Sequence, residues 1–182
     1  MIRKLVKNLV YRIRGEYTVE QLVKLGLKVG ENFNPQVGFE LDPSHCWLIT
    51  IGDNVTFGPH VHILAHDAST YQYLGYTKVG KVSIGNNVFI GDGTIVLPSV
   101  SIGNNVVIGA GSVVTSDIPD NTVAVGVPCT VIGGIDDFIE KNRNLLSTSP
   151  KYGEEYTLRG KITPERKRQM EEELLSRGGF VK

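Results

Sequence analysis

The chain has 182 residues, and its 19 Lys and Arg balance 19 Asp and Glu, so the formal net charge is zero at pH 7. A neutral chain with interspersed charges has no general electrostatic attraction to nucleic acid. Two cysteines, Cys46 and Cys129, are too few for a disulfide framework. The composition therefore argues against nucleic-acid binding and against a disulfide-rich secreted scaffold, and the length suits one domain with its own core.

β-Branched residues dominate the aliphatic side chains, with 22 Val and 15 Ile against 15 Leu and 4 Ala. Such side chains suit pleated surfaces better than helices. The 21 glycines indicate a backbone that turns often. We therefore expect a mainly β fold.

The N-terminal residues 1–14 place aliphatic side chains at helical spacing among basic ones. They lack the unbroken apolar run of a signal peptide or a membrane span, so we expect a cytoplasmic protein. A basic amphipathic helix can pack on protein or contact a membrane surface peripherally; we favour packing, and membrane contact stays open. A second helix is predicted from Val19 to Leu25, because Thr18 and Gln21 match a capping box and Gly26 can end the helix.

A six-residue repeat occupies the middle of the chain. An aliphatic residue returns at every sixth position, at Ile84, Ile90, Val96, Ile102, Ile108 and Val114. The same period occurs upstream at Ile51, Phe57 and Ile63. A period of six fits a short strand followed by a corner, and three such sides close a coil of about 18 residues. We therefore predict a solenoid with inward aliphatic ladders.

Residues 18 positions apart should lie above one another on the outside of such a coil. The outward pairs predicted in this way are Phe89 over Val107, Ile95 over Val113, and Ser101 over Pro119. The first two pairs are apolar, and exposed apolar columns call for cover by a helix or another subunit. We therefore expect a homo-oligomer with cyclic symmetry.

The repeat is interrupted between Ile63 and Ile84, which are 21 positions apart and so not a whole number of hexads. The intervening excursion, residues 64–78, opens with His66 and Asp67. It also carries three tyrosines, Tyr71, Tyr73 and Tyr76. Loops extruded from a rigid scaffold often carry function, and aromatic rings suit a polar ligand with flat apolar faces.

These motifs resemble those of the hexapeptide-repeat acyltransferases, in particular the maltose, galactoside and capsular-polysaccharide O-acetyltransferase branch. The resemblance rests on the hexads, on the His66-Asp67 pair, on the string from Ile108 to Thr115, and on the closing Val125-Gly-Val-Pro-Cys129. It implies a left-handed parallel β-helix that assembles as a homotrimer. We expect an N-terminal helical segment (1–28), the β-helix domain (29–134) with an inserted loop (64–83), and a C-terminal helical extension (135–182).

The resemblance also implies an acetyl-CoA-dependent O-acetyltransferase that acts on a sugar hydroxyl in surface-polysaccharide biosynthesis. His66 would be the general base that takes the hydroxyl proton and later protonates the departing thiolate, with no covalent acyl-enzyme. A neutral imidazole suits this task near pH 7. The implied acceptor-binding residues are Asn34, Asp42 and Asp67, and the implied coenzyme-binding residues are Gly91, Asp92, Ala110, Thr115 and Ser116.

Several of these residues have an alternative structural role. Asp67 could orient His66, contact the acceptor or simply form a turn, and turn chemistry explains Asn34 and Asp42 nearly as well. Ala110 could be small only to let coils stack closely. Ser116 and Thr130 stand where related enzymes often have Lys and Arg, so cations expected near the coenzyme A phosphates are missing here.

The other histidines are assigned structural roles. His60 and His62 flank the inward-facing Val61 and should point outward, and His45 lies in a turn-like Asp-Pro-Ser-His segment. The γ-class carbonic anhydrases carry zinc on the same solenoid, but their three histidines come from separate coils, unlike the closely spaced His60, His62 and His66. No metal is expected. An amino-sugar N-acetyltransferase, a non-catalytic scaffold and, ranked last, a γ-carbonic-anhydrase-like zinc enzyme stay open as alternatives.

Two helices are predicted after the solenoid. Residues 136–146 form a helix with acidic residues in its first turn, and Thr163-Pro164 opens another that runs to about Ser176. Neither helix is assigned any chemistry.

Overall fold

The computed structural model describes residues 17–182 and divides the chain into two compact units. The first unit ends at Ile135, and the second comprises Asp136–Lys182. The basic helix expected in residues 1–14 lies outside the described residues. Within residues 17–182, every helix is too short or too polar to cross a membrane.

The first unit is built from three sheets of short, mainly parallel strands, which the chain visits in rotation. The first sheet contains β1 (Lys28–Val29), β4 (Ile49–Ile51), β9 (Val82–Ile84) and β12 (Ser101–Ile102). The second contains β2 (Asn34–Pro35), β5 (Thr56–Phe57), β10 (Phe89–Ile90), β13 (Val107–Ile108), β15 (Thr122–Val125) and the antiparallel β16 (Thr130–Gly134). The third contains β3 (Glu40–Leu41), β6 (His62–Ile63), β11 (Ile95–Val96) and β14 (Val113–Val114). Each coil thus adds one strand to every sheet.

The aliphatic residues of the hexads form the core of the coils, as predicted. The six residues of the repeat, Ile84, Ile90, Val96, Ile102, Ile108 and Val114, are each at most 3% exposed. A second inward position lies two residues before each strand's last residue, where Val88, Val100 and Val106 are also buried. Burial of this continuous apolar interior is what stabilises the stacked coils.

The predicted outward stacking is confirmed in two of three pairs. Phe89 pairs with Val107 and Ile95 with Val113. The third pair is wrong, because Ile102 bridges Ile118 and the Ser101 N–H donates to the Asp117 carboxylate at 2.7 Å. The last coil is 16 residues long rather than 18, as the bond from Asn104 to Asp120 also shows, so Pro119 lies beyond Ser101.

The coils differ in length at a single corner. Equivalent corner residues are 22 positions apart in the first coil, 33 in the second and 18 in the third. From the first sheet to the second and from the second to the third, aligned positions are always six residues apart, as in the series 28, 34, 40, the series 50, 56, 62 and the series 83, 89, 95. The third corner, between the third sheet and the next strand of the first, therefore holds all the extra residues. It contains the 3-10 helix Cys46–Leu48 in the first coil and the excursion in the second.

The excursion folds as a small hairpin with a helical tip. Its neck is the antiparallel pair β7 (His66–Asp67) and β8 (Lys78–Val79). Between these strands lie the 3-10 helix Ala68–Thr70 and the short helix α2 (Tyr71–Leu74). The chain rejoins the first sheet at Val82.

The helix α1 (Val19–Lys24) has the predicted capping box between Thr18 and Gln21. In the second unit, α3 (Ile135–Thr148) begins at the boundary and carries Asp136 and Asp137 in its first turn. The helix α4 (Pro164–Glu173) is capped by Thr163 and ends three residues before the predicted Ser176. Strands β17 (Lys151–Tyr152) and β18 (Phe180–Val181) pair in parallel.

Candidate active site

The third corner brings His66 and Asp42 together from adjacent coils. His66 Nδ1 lies 2.6 Å from Asp42 Oδ2, which is hydrogen-bonding distance for a charge-assisted pair. The Asp42 side chain is 1% exposed, whereas the His66 side chain is 36% exposed. One ring nitrogen of His66 is therefore held by a buried carboxylate, while part of the ring remains accessible to solvent.

The Asp42 carboxylate is fixed by the backbone around it. Its Oδ2 accepts the Ala65 N–H at 2.9 Å, and its Oδ1 accepts the Ser44 N–H at 3.2 Å. These bonds compensate for the loss of water around a buried carboxylate. Because the oxygen positions are fixed, Asp42 can set the tautomer and the orientation of the His66 ring. The tyrosine-bearing excursion begins directly at this ring.

His45 belongs to the same cluster, although the sequence analysis gave it a structural role. Its ring centroid lies 5.2 Å from that of His66 and 5.3 Å from that of Trp47. Its Nδ1 is buried and has no hydrogen-bond partner among the described residues. The available signal was the length of the first coil, whose four extra residues carry His45 to the corner where His66 emerges.

Asp67 does not orient His66, because that position is taken by Asp42. Asp67 instead forms an ion pair with Lys78 at 2.5 Å and accepts the Ser69 N–H at 2.8 Å. The Lys78 ammonium, together with the Ser69 N–H, holds the pKa of the Asp67 carboxyl well below its usual range. Asp67 thus links the two strands at the neck of the excursion, and it directly follows His66, the candidate general base.

The excursion presents three exposed aromatic rings. Tyr71, Tyr73 and Tyr76 are 62%, 82% and 79% exposed. The loop that carries them is held by the bond from the Thr70 hydroxyl to the Tyr76 carbonyl at 2.8 Å. The tyrosine rings are therefore accessible on the loop that begins at His66.

The remaining predicted site residues lie at two different corners, except Asn34, which lies in a strand. Thr115 and Ser116 follow β14 and share the third corner with His66, with one coil between them. Asn34 is exposed in β2 of the second sheet. Gly91, Asp92 and Ala110 follow strands β10 and β13, at the second corner, which connects the second sheet to the third. Among the predicted site residues, one chain alone therefore places Asp42 and Asp67 beside His66, whereas Gly91, Asp92 and Ala110 form a separate group at the second corner.

The second corner is tightly stacked. A Cβ atom added at Gly91 would lie 2.4 Å from the Ala110 nitrogen, which leaves no room for a side chain between these coils. This close approach supports the structural role of small residues here. The exposed Asp92 side chain lies 3.4 Å from Nδ1 of His60.

The other two histidines point away from the solenoid interior, as predicted. Val61 is fully buried between them, while His60 faces Asp92 and His62 lies 4.0 Å from Glu40. Within residues 17–182, a group with ligand atoms close enough to hold a metal ion consists of Asp42, His45 and His66. It is not the set His60, His62 and His66.

Three-sided coils with a six-residue period, interrupted where a His-Asp pair is assembled, define a hexapeptide-repeat protein. The family model described as "Bacterial transferase hexapeptide (six repeats)" matches residues 81–116. Protein CapG of Staphylococcus aureus is 39% identical over 145 residues, covering 77% of this chain and 83% of CapG. The chain therefore belongs to the hexapeptide-repeat transferase family.

Two further relatives are named galactoside acetyltransferases. The galactoside O-acetyltransferase of Escherichia coli K12 is 41% identical over 114 residues, which cover 61% of this chain and 55% of that enzyme. The chain thus spans about half the length of that relative. A solved structure of a galactoside acetyltransferase in complex with coenzyme A matches with a TM-score of 0.52 and 33% identity, covering 74% of this chain and 80% of that one.

Proposed function

We propose that the protein is an O-acetyltransferase that moves the acetyl group of acetyl-CoA to a sugar hydroxyl, with His66 as general base. The observation that carries the proposal is the 2.6 Å contact between His66 Nδ1 and the buried Asp42. It supports a base role because it occupies Nδ1 of a partly exposed ring, while Nε2 has no hydrogen-bond partner among residues 17–182 and can accept a proton. The names of the galactoside O-acetyltransferase and of the coenzyme A complex support the reaction and the donor.

The proposed reaction is a direct transfer. Nε2 of His66 takes the proton of the acceptor hydroxyl while its oxygen attacks the thioester carbonyl carbon, and the carbonyl oxygen becomes an oxyanion. The carbon–sulfur bond then breaks, the carbonyl reforms as an ester, and the His66 proton passes to the departing thiolate of coenzyme A. Asp42 stabilises the imidazolium that exists between these steps.

Stabilisation of the oxyanion is assigned to the backbone N–H of Asp92, because the Gly91 N–H already donates to the Ile108 carbonyl at 2.9 Å. Gly91 and Ala110 would line the groove for the pantetheine arm. Asp92 has no hydroxyl to offer, so only the main chain can donate there. Thr115 and Ser116 would contact the pantetheine arm and the phosphates. These assignments follow from the family resemblance.

A homotrimer explains how the two corners cooperate. The second sheet carries the apolar pair Phe89 and Val107 on its outer face, and the third carries Ile95 and Val113. The outer face of the first sheet is polar and exposed, with Lys28, Thr50, Ser83 and Ser101. Packing of copies through the apolar faces would cover both columns and unite corners that one chain keeps apart.

Within this proposal, residues 29–134 with the insertion 64–83 form the transferase domain and wind left-handedly, as the resemblance implies. Residues 135–182 form a C-terminal extension that contains α3 and α4. The basic residues 1–14, which lie outside the described residues, would provide any peripheral membrane contact. The acceptor belongs to surface-polysaccharide biosynthesis in the cytoplasm. The exposed tyrosines of the excursion support a sugar acceptor, because sugars stack their apolar faces on aromatic rings.

The test is product identification with labelled acetyl-CoA and matched acceptors. Each sugar is supplied as the free hydroxyl form and as the amino sugar with NH₂ at the same carbon, both unmodified and nucleotide-linked. We expect label in an ester that hydroxylamine cleaves. Label in a hydroxylamine-stable amide would instead establish the amino-sugar N-acetyltransferase, and no transfer to any acceptor would favour the scaffold.

A further inference from the structure

Asp42, His45 and His66 offer ligand atoms that all lie within 4.8 Å of one another. We propose that these three side chains bind a divalent transition-metal ion, with Zn(II) as the expected occupant, and that the bound ion inactivates His66. The metal binding stands on the geometry alone. The inactivation rests on the proposed function of His66 as base.

The chemistry and the distances suit Zn(II). Imidazole nitrogens and carboxylate oxygens bind it at about 2.0–2.2 Å, so neighbouring ligand atoms in a tetrahedral site are about 3.3 Å apart. Asp42 Oδ2 and His66 Nδ1, now at 2.6 Å, would separate by less than about 1 Å to admit the ion. Both histidine rings are partly exposed, and a small rotation of each on binding would close the remaining distance. Three protein ligands leave one coordination position for water.

Two of the ligands belong to one turn. The His45 N–H donates to the Asp42 carbonyl at 3.1 Å, and the Ser44 N–H donates to the Asp42 carboxylate at 3.2 Å. Pro43 restricts the backbone between them. Asp42 and His45 are thus held on the same side before any ion arrives, which reduces the entropy lost on binding.

A bound cation would also supply a bonding partner to the His45 ring and an opposite charge to the Asp42 carboxylate. Nδ1 of His45 is buried without a hydrogen-bond partner in the described part of the chain, and a metal bond would supply one. The Asp42 carboxylate is buried, and within residues 17–182 its hydrogen-bond partners are two neutral backbone N–H groups and the His66 ring. A divalent ion at this point provides the opposite charge that a buried carboxylate lacks.

Binding at Nδ1 would block His66 without filling the acceptor site. A neutral imidazole has one ring proton, which the contact with Asp42 places on Nδ1. When the metal takes Nδ1, that proton moves to Nε2 through water. Nε2 then has no free electron pair with which to accept the proton of the acceptor hydroxyl.

The binding test uses untagged full-length protein, freed of metal with EDTA and desalted. Co(II) is titrated as a spectroscopic probe, and Zn(II) affinity is measured by competition with a chromophoric chelator. We expect one ion per chain with a low-coordinate Co(II) spectrum. His45→Phe keeps the ring packing against Trp47 and should weaken Zn(II) binding at least 100-fold, whereas the matched control His62→Gln should bind as the natural protein does. Absence of Co(II) binding, or equal affinity in His45→Phe, would overturn the proposal.

The inactivation test measures acetyl transfer against free Zn(II) set by a metal buffer. We expect the inhibition midpoint to match the measured affinity, and to rise by the same factor in His45→Phe but not in His62→Gln. Equal inhibition of all three proteins would show that the ion acts elsewhere. Failure of the proposed function is separable, because the Co(II) titration requires no acetyl transfer.

Discussion

The regular coils and the third corner of the solenoid differ in how neighbouring coils contact each other. The regular coils comprise residues 84–118, and the third corner comprises residues 42–48 of the first coil and 64–80 of the second. In the regular coils, each strand donates to the one stacked on it, and the corners are joined by ladders of Asn and Asp side chains. At the third corner, extra residues leave this pattern, and their side chains meet each other instead.

This difference teaches where chemistry can arise in a repeat protein. A repeated position cannot carry a unique base, because its neighbours above and below occupy equivalent environments. Two unequal insertions in adjacent coils break that equivalence at one edge, where they place the buried Asp42 beside the accessible His66. The regular coils keep that edge rigid, which is what a positioned base needs.

The largest expected effect is a loss of activity on removal of the Asp42 carboxylate from the third corner. Asp42→Asn preserves the side-chain shape but removes the carboxylate that selects the His66 tautomer. By comparison with loss of the orienting carboxylate in serine proteases, we expect kcat to fall about 10²–10⁴-fold, with the fold intact by circular dichroism. The control is Glu40→Gln, two residues away and facing His62. An Asp42→Asn rate within threefold of the natural rate would contradict the assignment.

The second prediction concerns the stability of the regular coils when an interior side chain is shortened. Ile90 is fully buried and stacks between Phe57 and Ile108. Ile90→Ala should lower the free energy of unfolding by about 2–5 kcal/mol, and Ile90→Val by about 0.5–1.5 kcal/mol. Denaturant unfolding measures both. A change under about 0.5 kcal/mol in the alanine variant would show that the interior ladder does not stabilise the coils.

The third prediction concerns a ladder at the corners. Asn87 accepts from Asn54 and donates to Asn105, and its φ of 56° lies in the left-handed region. Asn87→Ala loses both bonds and strains the backbone, so we expect a loss of about 1–3 kcal/mol. Asn87→Gly loses the bonds without the strain and should cost less. Thermal unfolding that ranks Gly below Ala would refute the backbone argument.

The smallest expected effect is a change in the pKa of Asp67, which lies in the antiparallel strand pair at the neck of the excursion. Lys78 lowers the pKa of Asp67, so the ion pair is complete above the ordinary range of an Asp carboxyl and is lost only as the pH falls through the depressed pKa. A carbon-detected NMR titration of Asp67 should show no change from pH 7 to about pH 4. In Lys78→Met the midpoint should move upward. Identical titrations in both proteins would remove Lys78 as the cause.

The sequence predicted the coils well because each hexad carries its own local information. The aliphatic period, the corner residues and the outward pairs at Phe89 and Ile95 follow from spacing alone. The prediction of Pro119 over Ser101 was wrong, because it assumed that every coil has 18 residues, whereas the last one has 16. A period can be extrapolated only as far as the coil length stays constant.

The site was harder to predict because its partners come from insertions. His66 was identified from the position of the break and from family resemblance, and its role stays a prediction. Its contact with Asp42 joins residues 24 positions apart across an irregular corner, where no period defines which side chains meet. His45 was missed for the same reason, since its four-residue insertion looked like an ordinary turn.

The most direct test of the account compares His66→Ala with the matched control His62→Ala. Acetyl transfer from acetyl-CoA and equilibrium binding of coenzyme A are measured on the same preparations. We predict that His66→Ala loses about 10²–10⁴-fold in kcat while coenzyme A binding stays within about twofold, and that His62→Ala changes neither. Undiminished turnover in His66→Ala would contradict the assignment of His66 as the base.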